Sequence, residues 1–261
     1  MRQADFEIGY VGRRSVFLLK MLLSLWSRNM EPTLPDIASL KLLGLAGIVS
    51  YAAARLAAKA GMLGYSRLML VAVPLDGMPE MPKGFRVQPI APEALLNDVI
   101  DISPDVQRLR FDQGMTCLAA YNRKDELVGI TWVGNGPFKE DAMPIRFHVP
   151  DNTAWDAGLW IAPRHRLGRG FAALWAGTAS WLRDHDKDWS MSWIADYNLP
   201  SLLSHKRMGA MTVGRVLTFR FFRWHYMAEG RPRFVRLDGG RPADISLPNA
   251  EIHAAFRNKM A

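Results

Sequence analysis

The period of the apolar positions changes along this chain, and the changes divide it. Ser15 to Trp26 reads SVFLLKMLLSLW, a helical run preceded by Arg13-Arg14 and interrupted by Lys20. Pro32 and Pro35 break the chain. A second helical run follows from Asp36, whose carboxylate suits an N-cap, to Ala60, with Gly61 and Gly64 ending it. Its longest uncharged run, Leu42–Ala54, is 13 residues, below the roughly 18–20 needed to cross a bilayer. The first run starts too late, and lacks a small-residue cleavage site, to read as a signal peptide.

From Gly84 the pattern alternates between periods of two and of about four. Phe85 to Ile90 predicts a strand, and Ala91-Pro92-Glu93 a helix start. Met115–Tyr121 and Glu126–Val133 predict a hairpin turned at Asn122-Arg123-Lys124-Asp125. Trp155–Ile161 predicts a strand, followed by a glycine-rich turn and a helix to about His185. Trp189–Ile194 is a further strand, Pro200–Met208 a helix, and Val213–Trp224 a closing strand or hairpin. Gly, Arg and Pro punctuate residues 229–261, which predicts a tail. Three regions result: 1–70 helical, 80–228 mixed, and 229–261.

Composition narrows this picture. Half of the 261 residues are apolar and nine are Trp, enough for a sizeable core. The lone Cys117 excludes an internal disulfide and a cysteine-rich zinc site, and its apolar run predicts a buried thiol. Low cysteine content fits a reducing cytoplasm. The net charge is +8, and residues 1–70 hold nine Lys/Arg against four acids. Such an excess beside apolar helices implies an anionic partner: lipid head groups or an acyl carrier protein. Nucleic acid is not expected, since no recognition motif or basic run is present. The N-terminal helices either pack on the rest of the chain or lie in a membrane interface, on the inner face of the membrane.

One turn carries candidate chemistry. Ile161-Ala162-Pro163-Arg164-His165-Arg166-Leu167-Gly168-Arg169-Gly170-Phe171-Ala172 links a strand to a helix. Glycines let the backbone approach an anion, and a helix amino end offers free N–H donors. Farther on, Asn198, Ser201, His205 and Gly209 fall at offsets 0, 3, 7 and 11.

These two strings, in this order and one helix and one strand apart, resemble motifs A and B of the GNAT superfamily of N-acyltransferases. Gly170 and Ala172 match the Gly-x-Gly/Ala end of the first. Leu167 stands in the Arg/Gln slot, with Arg166 one residue early, and His205 replaces a Tyr in the second. The likeness covers about residues 80–225. It implies an α/β fold, a mixed and mostly antiparallel central sheet flanked by helices, here with the apolar, basic N-terminal helical extension. It also implies acyl-CoA or acetyl-CoA as co-substrate, a primary amine acceptor, no metal, and direct transfer without an acyl-enzyme.

By that resemblance the fourth strand splays from the fifth to admit the donor. A backbone N–H near Leu159 or Trp160 would polarise the thioester carbonyl. Ile161, Arg166, Leu167, Gly168, Arg169, Gly170, Phe171, Ala172, Asn198 and Ser201 would contact the donor. His205 is the candidate general acid and Asp156 the candidate base, with His148 and Asp151 weaker alternatives. His185, between Asp184 and Asp186, reads as a polar helix end rather than a ligand cluster. An N-acyltransferase with an amphipathic acceptor, a small-molecule or protein N-acetyltransferase, and a non-catalytic scaffold at a membrane all remain open.

Overall fold

The computed structural model describes residues 37–59, 63–94, 100–166 and 168–250. The apolar run from Ser15 to Trp26, and Leu167, lie outside them.

The predicted second helix is α1, Ile37–Lys59, with a kink at Gly44, whose φ is 65°. It is longer than its uncharged run suggests. Leu42–Lys59 is by length and composition apolar enough to cross a bilayer, Arg55 and Lys59 included. Only 17% of that window is buried. Gly47, Ser50 and Ala54 turn inward, one helical turn apart, while Leu42, Leu45, Val49 and Leu56 turn out.

Immediately after α1 the sequence reading needs correcting. Leu63–Pro74 is a strand, β1, in the middle of the main sheet. Its burial alternates from Gly64 through Ser66, Leu68 and Leu70, a period of two hidden beside the stronger helical signal. A boundary at residue 70 would cut this strand.

The predicted strands and helices follow in order with modest shifts at their ends, joined by two short strands before residue 150 that the sequence pattern did not predict. They are β2 (Arg86–Ile90), α2 (Pro104–Asp112), β3 (Thr116–Tyr121), β4 (Leu127–Gly134), β5 (Phe138–Lys139) and β6 (Ile145–His148). Next come β7 (Thr153–Ile161), α3 (Gly170–Asp184), β8 (Trp189–Ala195), α4 (Leu199–Arg207), β9 (Met211–Phe221) and β10 (Trp224–Met227). The helix expected to open at Ala91 does not do so, since residues 91–94 form a turn. Ser103 instead caps α2, accepting from the Val106 N–H, with Pro104 at its first position.

With β11 (Phe234–Arg236), nine strands form the main sheet in the order β11-β10-β9-β1-β8-β7-β4-β3-β2. All neighbours are antiparallel except β7 and β8. The region expected to be a tail supplies β11 (Phe234–Arg236) and β12 (Ala243–Ser246). β12 pairs with β6 in a second, three-stranded sheet. Val235, Ala243, Ile245 and Leu247 join the main core cluster. Their runs are three or four residues long among Gly and Pro, too short to show a period.

The sheet is covered on both faces. Val106 of α2, Phe138, Phe147, Trp132 and Trp155 pack on one. On the other, Leu174, Trp181 and Leu182 of α3 meet Val128, Val133 and Ala154. Gly170 is required by this packing. A Cβ there would lie 2.5 Å from Cγ1 of Val128, so α3 starts directly against β4.

Candidate functional site

β7 and β8 stay paired only over Thr153–Trp155 and Trp189–Met191. Beyond that point β7 keeps pairing with β4 as far as Ile161, and β8 keeps pairing with β1 as far as Ala195. Each strand is held by its outer neighbour, so the two diverge and leave a cleft. Opposite the register shift between Ile130 and Trp132 of β4 lies Gly158, with φ of 65°. Ala162 donates its N–H to Val128 O at 2.9 Å. Alternation then turns the Ile161 N–H toward the open edge, while Trp160 faces β4. Of the two residues expected to polarise a carbonyl, Trp160 is thus paired with β4, and Leu159 lies in the irregularity beside Gly158.

The turn after β7 lies at the mouth of this cleft. Pro163–His165 form one tight helical turn, and α3 begins at Gly170 after Arg169. No acid lies in the first turn of α3 and no side chain caps it. The N–H groups of Gly170, Phe171 and Ala172 therefore meet no intrahelical carbonyl. Arg164, Arg166 and Arg169 are exposed around them, and Gly168 continues the turn, its N–H bonded to His165 O. Free N–H groups with cations around them, at the carboxyl end of a strand, are the chemistry that suits an anion. Arg166 also reaches Ile161 O at 3.4 Å, and the Arg169 guanidinium sits 6.0 Å from the Phe85 ring.

Asp156 is in phase with Ala154 and opposite Val133, so its carboxyl faces the α3 side. It is buried and accepts a 3.2 Å hydrogen bond from the Thr131 hydroxyl. Burial pushes its pKa up to about 7, against the opposing pull of that bond and of Arg110.

His205 is buried on α4, with Nδ1 2.8 Å from Ser201 O. A carbonyl only accepts, so Nδ1 carries the proton and Nε2 the lone pair. The ring stands edge-on to Trp175, at 5.3 Å and 89°, and 6.5 Å from Phe171 of the first α3 turn. Burial lowers its pKa despite the Ser201 bond, leaving a neutral imidazole at pH 7. Asn198 is the N-cap of α4, accepting from the Ser201 N–H, and Gly209 follows the helix with φ of 75°. Two of the four spaced motif positions are thus the two caps of one helix.

The weaker candidates have other partners. His148 pairs with Asp244 at 2.8 Å, the Asp151 carbonyl accepts from Lys187, and His185 stacks on Trp181 at 3.8 Å.

A buried polar cluster on the α2 side of the cleft was not legible in the sequence. Arg110 Nε and Nη2 donate to Asp141 Oδ2 at 3.1 and 2.6 Å. Trp193, on the diverging half of β8, donates Nε1–H to Glu140 Oε2 at 2.7 Å. A Cβ at Gly158 would overlap the Arg110 guanidinium, so this glycine makes room for it. Burial raises Glu140 well above the ordinary carboxyl range, and Asp141 adds to that. Burial works against Asp141 ionisation as well, but Arg110 and the hydrogen bonds hold its pKa below the usual value.

A mixed sheet that splits at its one parallel pair, with a helix amino end at the mouth, is the GNAT arrangement. The chain has a GNAT-like fold. No family model matches it, and no curated protein matches it. Similar solved structures include a tandem GNAT protein from the clavulanic acid biosynthesis pathway, at 18% identity and a TM-score of 0.41, over 63% of this chain and 54% of that one. GCN5-related N-acetyltransferases from Kribbella flavida and Sphaerobacter thermophilus are 17% identical, with TM-scores of 0.40 and 0.38. They align over 68% and 73% of this chain and 63% and 58% of their own lengths. The chain thus matches little more than half to under two thirds of the length of these relatives.

Proposed function

We propose that this protein is an N-acyltransferase that moves an acyl group from acyl-CoA, or from an acyl carrier protein, to a primary amine. The observation that carries the reading is the β7–β8 cleft with the acid-free, arginine-rimmed amino end of α3 at its mouth. The α3 N–H groups and Arg164, Arg166 and Arg169 hold the pyrophosphate. The Leu159 N–H donates to the thioester oxygen as negative charge builds on it.

Asp156, as carboxylate, takes the proton of the attacking ammonium, directly or through one water. A pKa of about 7 suits a base at neutral pH. The amine nitrogen bonds to the carbonyl carbon, the carbon–sulfur bond breaks, and the thiolate takes the proton that the bonded nitrogen sheds, relayed by Nε2 of His205. In its neutral form His205 is a weak proton donor, so its role is to return a proton to the thiolate only after collecting one. Its contacts with Phe171 and Trp175 meanwhile set the wall beside the α3 turn.

The acceptor is amphipathic in this reading, because α1, which carries an outward apolar stripe, is held beside the carboxyl end of β8. Ser50 and Tyr51 of α1 meet Asp196 and Tyr197 just beyond β8. Thiol release should be followed with acetyl-CoA and with a long-chain acyl-CoA, each offered water-soluble and amphipathic amines. The expected result is faster release with the amphipathic amine. Preference for acetyl-CoA with a water-soluble amine would instead make this a plain N-acetyltransferase.

A further inference from the structure

Two cross-strand rows on one face of the β1-β9-β10-β11 end of the sheet are aromatic and uncovered. In the first row Tyr65 pairs with Phe219, Phe219 with Tyr226, and Tyr226 with Phe234, their rings 5.3, 6.3 and 4.9 Å apart. In the second, two residues along and so on the same face, Leu63 pairs with Phe221, Phe221 with Trp224, and Trp224 with Arg236. Phe222 extends this row at the hairpin turn, its ring 4.6 Å from that of Phe221. Phe221 is 59% exposed and Phe234 62%, whereas exposed aromatic clusters of this size are rare on isolated domains.

α1 stands on this same side. Arg67, in phase with Tyr65, lies 3.5 Å from Asp196, which also accepts from Ser50 of α1. The outward stripe of α1 includes Leu45, 80% exposed, and α1 ends at Lys59, four positions before Leu63. Exposed apolar side chains are thus present both on the helix and on the aromatic rows of this side. The segment 211–238 that carries most of the rows has six arginines against Glu229 and Asp238. Asp238 is shared between Arg223 and Arg236, and the Arg236 guanidinium lies 5.9 Å from the Trp224 ring.

We infer that this face is a docking surface for an anionic lipid bilayer. The aromatic rows sit at head-group depth and the surrounding arginines meet lipid phosphates. Trp and Tyr favour that depth because one end is apolar and the other polar, and a flat sheet face lies along an interface without a pocket. An anionic surface matches the excess of arginine over acid, and exposed apolar side chains on the helix of the same side match lipid better than a protein groove. The inference does not depend on acyl transfer.

The test is co-sedimentation of the full chain with vesicles of phosphatidylcholine alone and of phosphatidylcholine with phosphatidylglycerol. The wild type should bind the anionic vesicles, more weakly as salt rises. The triple variant Phe221→Ser/Trp224→Ser/Phe234→Ser should bind at least about tenfold more weakly. Should that variant fail to fold by circular dichroism, Arg236→Gln, an exposed change in the second row, should lower affinity for the anionic vesicles and reduce the salt dependence. Two results overturn the proposal. One is unchanged vesicle binding by a folded triple variant, or by Arg236→Gln where the triple variant does not fold. The other is a wild-type dimer that the triple variant converts to monomer with no change in vesicle binding, which would assign the face to a second copy of the chain.

Discussion

Replacing Asp156 with Asn is expected to stabilise the fold at pH 8 and to remove most of the activity. The carboxyl is buried, with a folded pKa of about 7 against an ordinary 3.8. Its folded pKa is raised, so its contribution to stability is complete below pH 3.8 and is lost as pH rises through 7. At pH 8 the folded chain holds a buried carboxylate that the unfolded chain would hold in water. A neutral amide escapes that cost. Allowing for the amide's extra buried donor, the gain is about 2–3 kcal/mol at pH 8 and turns into a loss of about 1 kcal/mol at pH 4. Urea midpoints of the two proteins at the two pH values measure it. Turnover should fall on the order of 10²–10⁴-fold, and the rise of kcat/KM through pH 7 should disappear. A group that costs stability and is still in place points to chemistry. An Asn variant that is less stable but fully active would assign Asp156 to the core alone.

The second large effect is expected at Arg110→Met. Asp141 has a side-chain exposure of 9% and takes two hydrogen bonds from this one guanidinium. Without it a carboxylate stays buried and unpaired, at a cost of about 3–5 kcal/mol. Denaturant unfolding should show that loss with little change in its slope. Adding Asp141→Asn should recover part of it, since the charge left unpaired is then gone. The same guanidinium lies against Gly158, so the cleft edge of β7 should loosen too. A loss below about 1 kcal/mol would mean that water reaches Asp141 freely.

The stretch from Met115 to Gly209 was well legible in the sequence because its signals are local. Turn residues at Asn122–Asp125 specify a hairpin, and the step from Ile161 through glycines to Gly170 specifies strand, turn and helix. Asn198 and Gly209, read in the sequence as motif positions, bracket the helix Leu199–Arg207. Their motif spacing is met by backbone need, so it says less about ligands than the match alone suggests.

Other features depend on distant partners. β1 is recognisable only once β8 and β9 are in place on either side, and a helical run ends just before it. β11 and β12 are too short to show a period. The Arg110–Asp141–Glu140–Trp193 cluster joins four positions up to 83 residues apart, and no local pattern marks them. For His205, sequence indicated a titratable group, while the Phe171 and Trp175 rings and the Ser201 carbonyl decide that it is neutral.

The account turns on whether the β7–β8 cleft holds an acyl donor at the amino end of α3. Calorimetric titration of the full chain with a long-chain acyl-CoA, beside the variant Arg164→Ala/Arg166→Ala/Arg169→Ala, tests it most directly. The wild type should bind, and the variant should bind about 10- to 100-fold more weakly, as expected for three exposed cations on a phosphate site. Equal affinities, or no binding of acyl-CoA or acyl carrier protein by the wild type, would contradict it.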